Sequence, residues 1–194
     1  FGAILKSAQF PFHTWLPDTM GAPTPVSALM HAGIINGGGY LVVRLSPVLV
    51  HTLGALHMLA IVGALTAVYA SMVMLSQTSV KRALAYSTIA QMGFMLLQCG
   101  LGAFHLAVLH LVAHSLYKGH AFLSCGSAVE TAKKLNAKPH YAQLKPSRIW
   151  LAIGISFAIV LGLSIPFNVS PSDKPGMLVL SMVLVMALTQ LLWT

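Results

Sequence analysis

Three side chains raise the first question. His110, His114 and Lys118 stand four residues apart in "LHLVAHSLYKGHAFL", Leu109 to Leu123, a run that is otherwise mostly apolar. In a helix of 3.6 residues per turn, positions i, i+4 and i+8 form one stripe, here roughly 12 Å long. Imidazoles titrate near neutrality, and ionisable groups are costly inside a membrane, where they face a protein interior or a wet path. A row of them, exchanging protons through intervening water, would make a proton pathway. His120 falls on another face, about 200° from Lys118. Lys6, followed by Ser7, and His31, within "SALMHAGIINGGG", are further ionisable groups in apolar segments. His110 and His114 also have the spacing of a helical zinc pair, but no Cys, Asp or Glu lies near enough in sequence to complete a site. Isolated histidines such as His57 and His105 read as hydrogen-bonded to neighbouring helices. From position alone, Lys81 beside Arg82 reads as snorkelling from a helix end.

The elements holding these groups must lie in a membrane. The chain has 194 residues, 57% hydrophobic and 7% charged, with mean hydropathy +0.81. A soluble domain would carry about 25% charged residues. The net charge of +8 sets eleven Lys and Arg against Asp18, Glu130 and Asp173. In a membrane protein that excess reports topology, and no basic patch interleaved with aromatics points to nucleic acid. Cys99 and Cys125 sit in apolar stretches as small hydrophobes and form no metal motif. The opening "FGAILKSAQF" begins in mid-helix without a signal-peptide pattern, so a fragment or truncated chain is expected.

Crossing ~30 Å of hydrocarbon takes about 20 residues of helix. On that measure we expect an all-α bundle of about seven transmembrane segments, at residues 1–15, 26–43, 53–76, 83–98, 103–117, 149–167 and 176–194. The fourth and fifth are divided at "CGLG", because 83–117 as one helix would run roughly 50 Å. Lys81, Arg82, Lys133, Lys134, Lys138, Lys145 and Arg148 follow segments three and five, whereas only Arg44 and Lys174 follow two, four and six. The positive-inside rule puts the first set in the cytoplasm. The chain then divides into a conducting core at 1–130, a basic cytoplasmic loop at 131–148 and two C-terminal helices at 149–194. That loop is a contact for a soluble partner or anionic lipid, or else only a topology signal.

Pro11, Pro17, Pro23 and Pro25 fall within "FPFHTWLPDTMGAPTP". Proline removes a backbone donor and clashes with the preceding turn, so at least one helix here must be broken. Breaks at membrane depth are tolerated where they line a polar cavity. "NGGGY" thins the next segment and lets another helix approach near His31.

"KSAQFPFHTWLPDTMGAPTPVSALMHA", "VKRALAYSTIAQMGFM" and "HLVAHSLYKGHAFLSCGSAV" together resemble the antiporter-like proton-conducting membrane subunits of respiratory complex I and of Mrp-type cation/proton antiporters. The likeness covers about residues 1–130 and implies the C-terminal part of a larger antiporter-like fold. It implies proton-pathway roles for Lys6, His31, Lys81, His110, His114 and Lys118, with a glutamate partner for Lys6 upstream of residue 1. Ser7, His120 and Lys174 are weaker candidates. The C-terminal third departs from the complex I pattern: its sixth segment has no ionisable residue, and Lys174 in "PSDKPG" is the only candidate for a terminal lysine. "ALMHAGIINGGGYLVVRLSP" and "HSLYKGHAFLSCGS" are most similar to the DabB-type subunits of two-component inorganic-carbon systems. That resemblance implies a multi-pass subunit of the bacterial cytoplasmic (inner) membrane, conducting cations, most simply protons. The flux would energise a large soluble zinc-containing DabA-type subunit on the cytoplasmic side, which converts carbon dioxide to bicarbonate. The zinc would belong to that partner; no cofactor and no catalytic residue is expected in this chain. The alternatives are a proton-pumping subunit of an NADH–quinone oxidoreductase, a subunit of an Mrp-type Na+/H+ antiporter, or a membrane scaffold whose histidines are structural or zinc-binding.

Overall fold

The computed structural model describes residues 1–134, 146–164, 180–186 and 189. Among them every regular element is helical. The chain forms two compact units, Phe1–Ala137 and Lys138–Thr194. The first holds α1 (Gly2–Lys6), α2 (Trp15–Asp18), α3 (Thr24–Leu29), α4 (Asn36–Arg44), α5 (Ser46–Leu49), α6 (Leu53–Leu75), α7 (Val80–Gly100) and α8 (Phe104–Lys134). The second holds α9 (Pro146–Ser164) and a helical stretch at 180–186. Within it Thr189 Oγ1 donates to Ser156 Oγ at 3.1 Å.

The first expected segment, residues 1–15, is not one helix. α1 stops at Lys6, and the chain runs through turns before helix resumes at Trp15. Pro11 lacks an N–H, and its ring excludes the preceding helical turn. Pro23 is extended, with ψ at 152°, and caps α3, where Pro25 takes a first-turn position that needs no donor. α3 and α4 join through a π-helical turn at Met30–Ile34, in which the Ile35 N–H donates to the Met30 carbonyl at 3.2 Å. Such turns often occur at functional sites, and this one carries His31. Nothing in the residue spacing had announced it.

α6 and α7 pack as an antiparallel pair through small residues. A Cβ on Gly63 would lie 2.6 Å from the Gly93 carbonyl oxygen, and one on Gly100 would lie 2.4 Å from the Ala60 nitrogen. The backbones can meet so closely only because side chains are missing there. Gly38 performs the same service for α1 on α4: its Cβ would lie 2.6 Å from the Ala3 carbonyl oxygen. The close approach expected at "NGGGY" is therefore made by α1. α7 ends at the expected "CGLG" turn. Gly102, with φ at +78°, supplies the left-handed residue, while the N–H groups of Gly102 and Ala103 bond the carbonyls of Cys99 and Gln98.

Thr24–Arg44 and Leu53–Leu75 are long and apolar enough to cross a membrane, by length and composition. Of the seven expected segments, these two meet that measure among the described residues. On α6, Met58, Ile61, Leu65, Val68, Met72 and Leu75 repeat every three or four residues and are all exposed. That is one continuous apolar stripe, suited to lipid. α8 has 31 residues, roughly 46 Å of helix and longer than one span needs. The basic stretch expected as a loop at 131–148 is partly helical, since 131–134 finish α8 and 146–148 open α9. Residues 135–145, and Lys174 in the expected loop before segment seven, lie outside the described residues.

Candidate functional site

α8 packs against α3, α4, the π turn and α7, and its inward face carries the predicted stripe. Lys118 is fully buried, at 0% exposure. Its Nζ donates to the Leu84 carbonyl oxygen at 3.1 Å and to Ser87 Oγ, both on α7. Both partners are neutral. An amine held by neutral oxygens has no fixed counter-charge, so its own charge can come and go with a proton.

Above Lys118 the row crosses between helices. His31 is fully buried in the π turn, and its ring stacks on Phe122 with centroids 4.4 Å apart. His114 is 4% exposed, and both ring nitrogens of His31 and of His114 have no hydrogen-bond partner among the described residues. His114 lies one turn before Lys118 on α8, and Phe122, the ring on which His31 stacks, lies one turn after it. The His110 and His114 centroids are 6.3 Å apart, and Gln98 Oε1 lies 3.0 Å from His110 Nδ1. Beside the row, Asn36 Nδ2 donates to the Ala32 carbonyl and to Ser115 Oγ, both at 2.7 Å, and so fastens α4 to α8. Buried polar nitrogens without protein partners call for water, and water between titratable groups is what proton transfer needs.

The other candidates stand apart. Lys81 is half-buried and donates to the Ala22 carbonyl oxygen at 3.1 Å, just before α3 begins. Lys6 is exposed, its Cε lying 3.9 Å from where a Cβ on Gly37 would sit. Ser7 is buried, and its Oγ donates to the Ala3 carbonyl at 2.6 Å, within its own turn. His120 is exposed beside Ser124. His57 and His105, expected to bond neighbouring helices, are exposed as well. Cys99 and Cys125 are free and buried. Counting charged residues had passed over Ser87, Gln98, Asn36 and Phe122. The signal that finds the first three is an uncharged polar side chain inside an apolar helix, where it needs a partner.

The sequence pattern of the family described as NADH:quinone oxidoreductase/Mrp antiporter, TM, matches residues 1–193. The chain is 52% identical over 167 residues to "Probable inorganic carbon transporter subunit DabB1" of Halothiobacillus neapolitanus, covering 81% of this chain and 30% of that protein. It is 48% identical over 176 residues to the DabB of Hydrogenovibrio crunogenus, which carries the same description, covering 91% and 34% respectively. Among solved structures, a chain of the Mrp complex from Dietzia sp. superposes with a TM-score of 0.64 at 40% identity, over 67% of this chain and 15% of that one. The chain thus spans about a third of the length of these curated relatives.

Proposed function

The chain belongs to the NADH:quinone oxidoreductase/Mrp antiporter transmembrane family, and on that footing we propose that it conducts cations, as protons, through the membrane along Lys118, His31, His114 and His110. In this reading it is part of a multi-pass subunit of the bacterial cytoplasmic membrane, with about seven crossings in this stretch. The flux energises inorganic-carbon uptake by a soluble, zinc-containing DabA-type partner on the cytoplasmic side. Hydration of carbon dioxide to bicarbonate belongs to that partner; this chain contributes the ion path. The carrying observation is the buried Lys118 amine, bonded among the described residues to neutral oxygens, with the buried His114 imidazole one turn away on the same helix. Each proton arriving at one site of the row repels the next, so charge moves stepwise along it. The relatives described as probable inorganic carbon transporter subunits support inorganic carbon as the cargo.

Cells expressing the full-length subunit with its partner should accumulate labelled bicarbonate. Accumulation should collapse with a protonophore and persist when sodium is replaced by choline. Uptake indifferent to the protonophore overturns the reading. Sodium extrusion without carbon accumulation would favour the Na+/H+ antiporter alternative, which the family description and the Dietzia neighbour support.

Lys81 enters the pathway only through family resemblance. The Lys81 bond to the Ala22 carbonyl suits a strap across the helix break. Arginine keeps donors and charge but does not release a proton in a protein. Lys81→Arg should therefore retain bicarbonate uptake, and loss of uptake at normal membrane level would make Lys81 a relay.

A further inference from the structure

Of the three histidines in the row, His110 is the one with a protein hydrogen-bond partner among the described residues, and that partner comes from a different helix. Gln98 lies in the last turn of α7 and is 7% exposed. That turn is held rigidly: the Ala103 N–H bonds the Gln98 carbonyl at 2.9 Å, and the Gly102 N–H bonds the Cys99 carbonyl at 3.0 Å. The Gln98 side chain therefore starts from a fixed backbone, and its Oε1 lies 3.0 Å from His110 Nδ1. Phe94, one turn earlier on α7, has its ring 5.5 Å from the His110 ring and limits rotation.

We infer that Gln98 is a positioning residue of the row, holding His110 in the tautomer whose Nδ1 carries the hydrogen. An amide oxygen only accepts, so Nδ1 must donate, and the lone pair of the neutral ring sits on Nε2. Nε2 is then the single nitrogen through which His110 takes up a proton and gives it back. The Gln98 oxygen has no hydrogen to pass and cannot hold a second charge. His110 therefore ends the stripe as a proton-holding station and does not hand protons on to α7. His31 and His114, whose nitrogens have no partner among the described residues, keep both nitrogens for transfer.

This inference rests on the proposed conduction, and its test separates the two. The full-length subunit, in membranes with its partner, is compared with Gln98→Leu and Gln98→Met, which keep the volume and remove the acceptor, and with Lys118→Met. Both Gln98 variants should lower protonophore-sensitive bicarbonate uptake at least tenfold at unchanged membrane level. Nitrogen-15 spectra of the His110 imidazole should report Nδ1–H in the wild type and mixed tautomers in the variants. If the Gln98 variants transport normally while Lys118→Met is inactive, the inference about Gln98 fails and the conducting row stands. If Lys118→Met transports normally, the conducting row fails, and the spectra alone decide whether Gln98 sets the tautomer. If the variants do not accumulate, the wild-type spectrum decides: a proton on Nε2 overturns the inference.

Discussion

Lys118→Met should stop cation transport while the protein still inserts and binds its partner. Methionine approximates the length of the lysine stem and carries no titratable group. Replacing a buried charge by an apolar group of similar volume is often neutral or stabilising, so folding is not expected to suffer. Leu84 keeps its helical hydrogen bonds, and Ser87 loses one partner, a small cost. Transport, by contrast, loses the amine that takes up and releases the proton. A positioned acid or base commonly contributes on the order of a hundredfold or more, and uptake should fall by at least that factor. Lys118→Arg should fail as well, because its charge is permanent. Together the two variants separate a proton relay from a fixed counter-charge. Membrane level and labelled bicarbonate uptake measured on the same cells provide the check, and near-normal uptake in either variant removes Lys118 from the pathway.

The second large effect concerns stability. A Cβ on Gly93 would lie 2.7 Å from the Ala67 nitrogen and 2.8 Å from the Gly63 carbonyl oxygen. These are backbone atoms on the facing helix and cannot turn aside as a side-chain end would. Gly93→Val must push α6 away from α7, at a cost of about 3 kcal/mol or more. The damage would spread, because Thr66 on α6 donates to the Val62 carbonyl and accepts the Phe10 N–H at 3.1 Å, tying the helix break to this pair. Gly54→Val is the control: the same residue type in the same fold, with nothing within 4 Å of its Cβ. Thermal melting of the purified protein in detergent should drop sharply for Gly93→Val and little for Gly54→Val. Equal melting of the two would show that the close approach at Gly93 carries no weight.

Much of the row was legible from spacing. Four-residue intervals put His110, His114 and Lys118 on one face of a helix, whatever that helix packs against. The burial of His114 and Lys118 was also legible, because the residues around them are apolar and a solvated helix would not be so composed. The prolines marked the break, and "CGLG" marked the turn between α7 and α8. The end of α1 was not legible: composition cannot say whether a chain leaves the helix at Lys6 or at Pro11, since both depend on what packs across the break.

By itself, then, the sequence determined which side chains share a face and that this face lies away from water, because helical periodicity and burial cost act within a single segment. Only the tertiary structure decided that His31 stacks on Phe122 of α8, one turn from Lys118. It also decided that Lys81 turns to the Ala22 carbonyl, and that Ser87 and Gln98 partner Lys118 and His110. Those choices depend on how closely helices approach, which glycines on both partners must permit together, and periodicity along one chain segment carries no information about its neighbour.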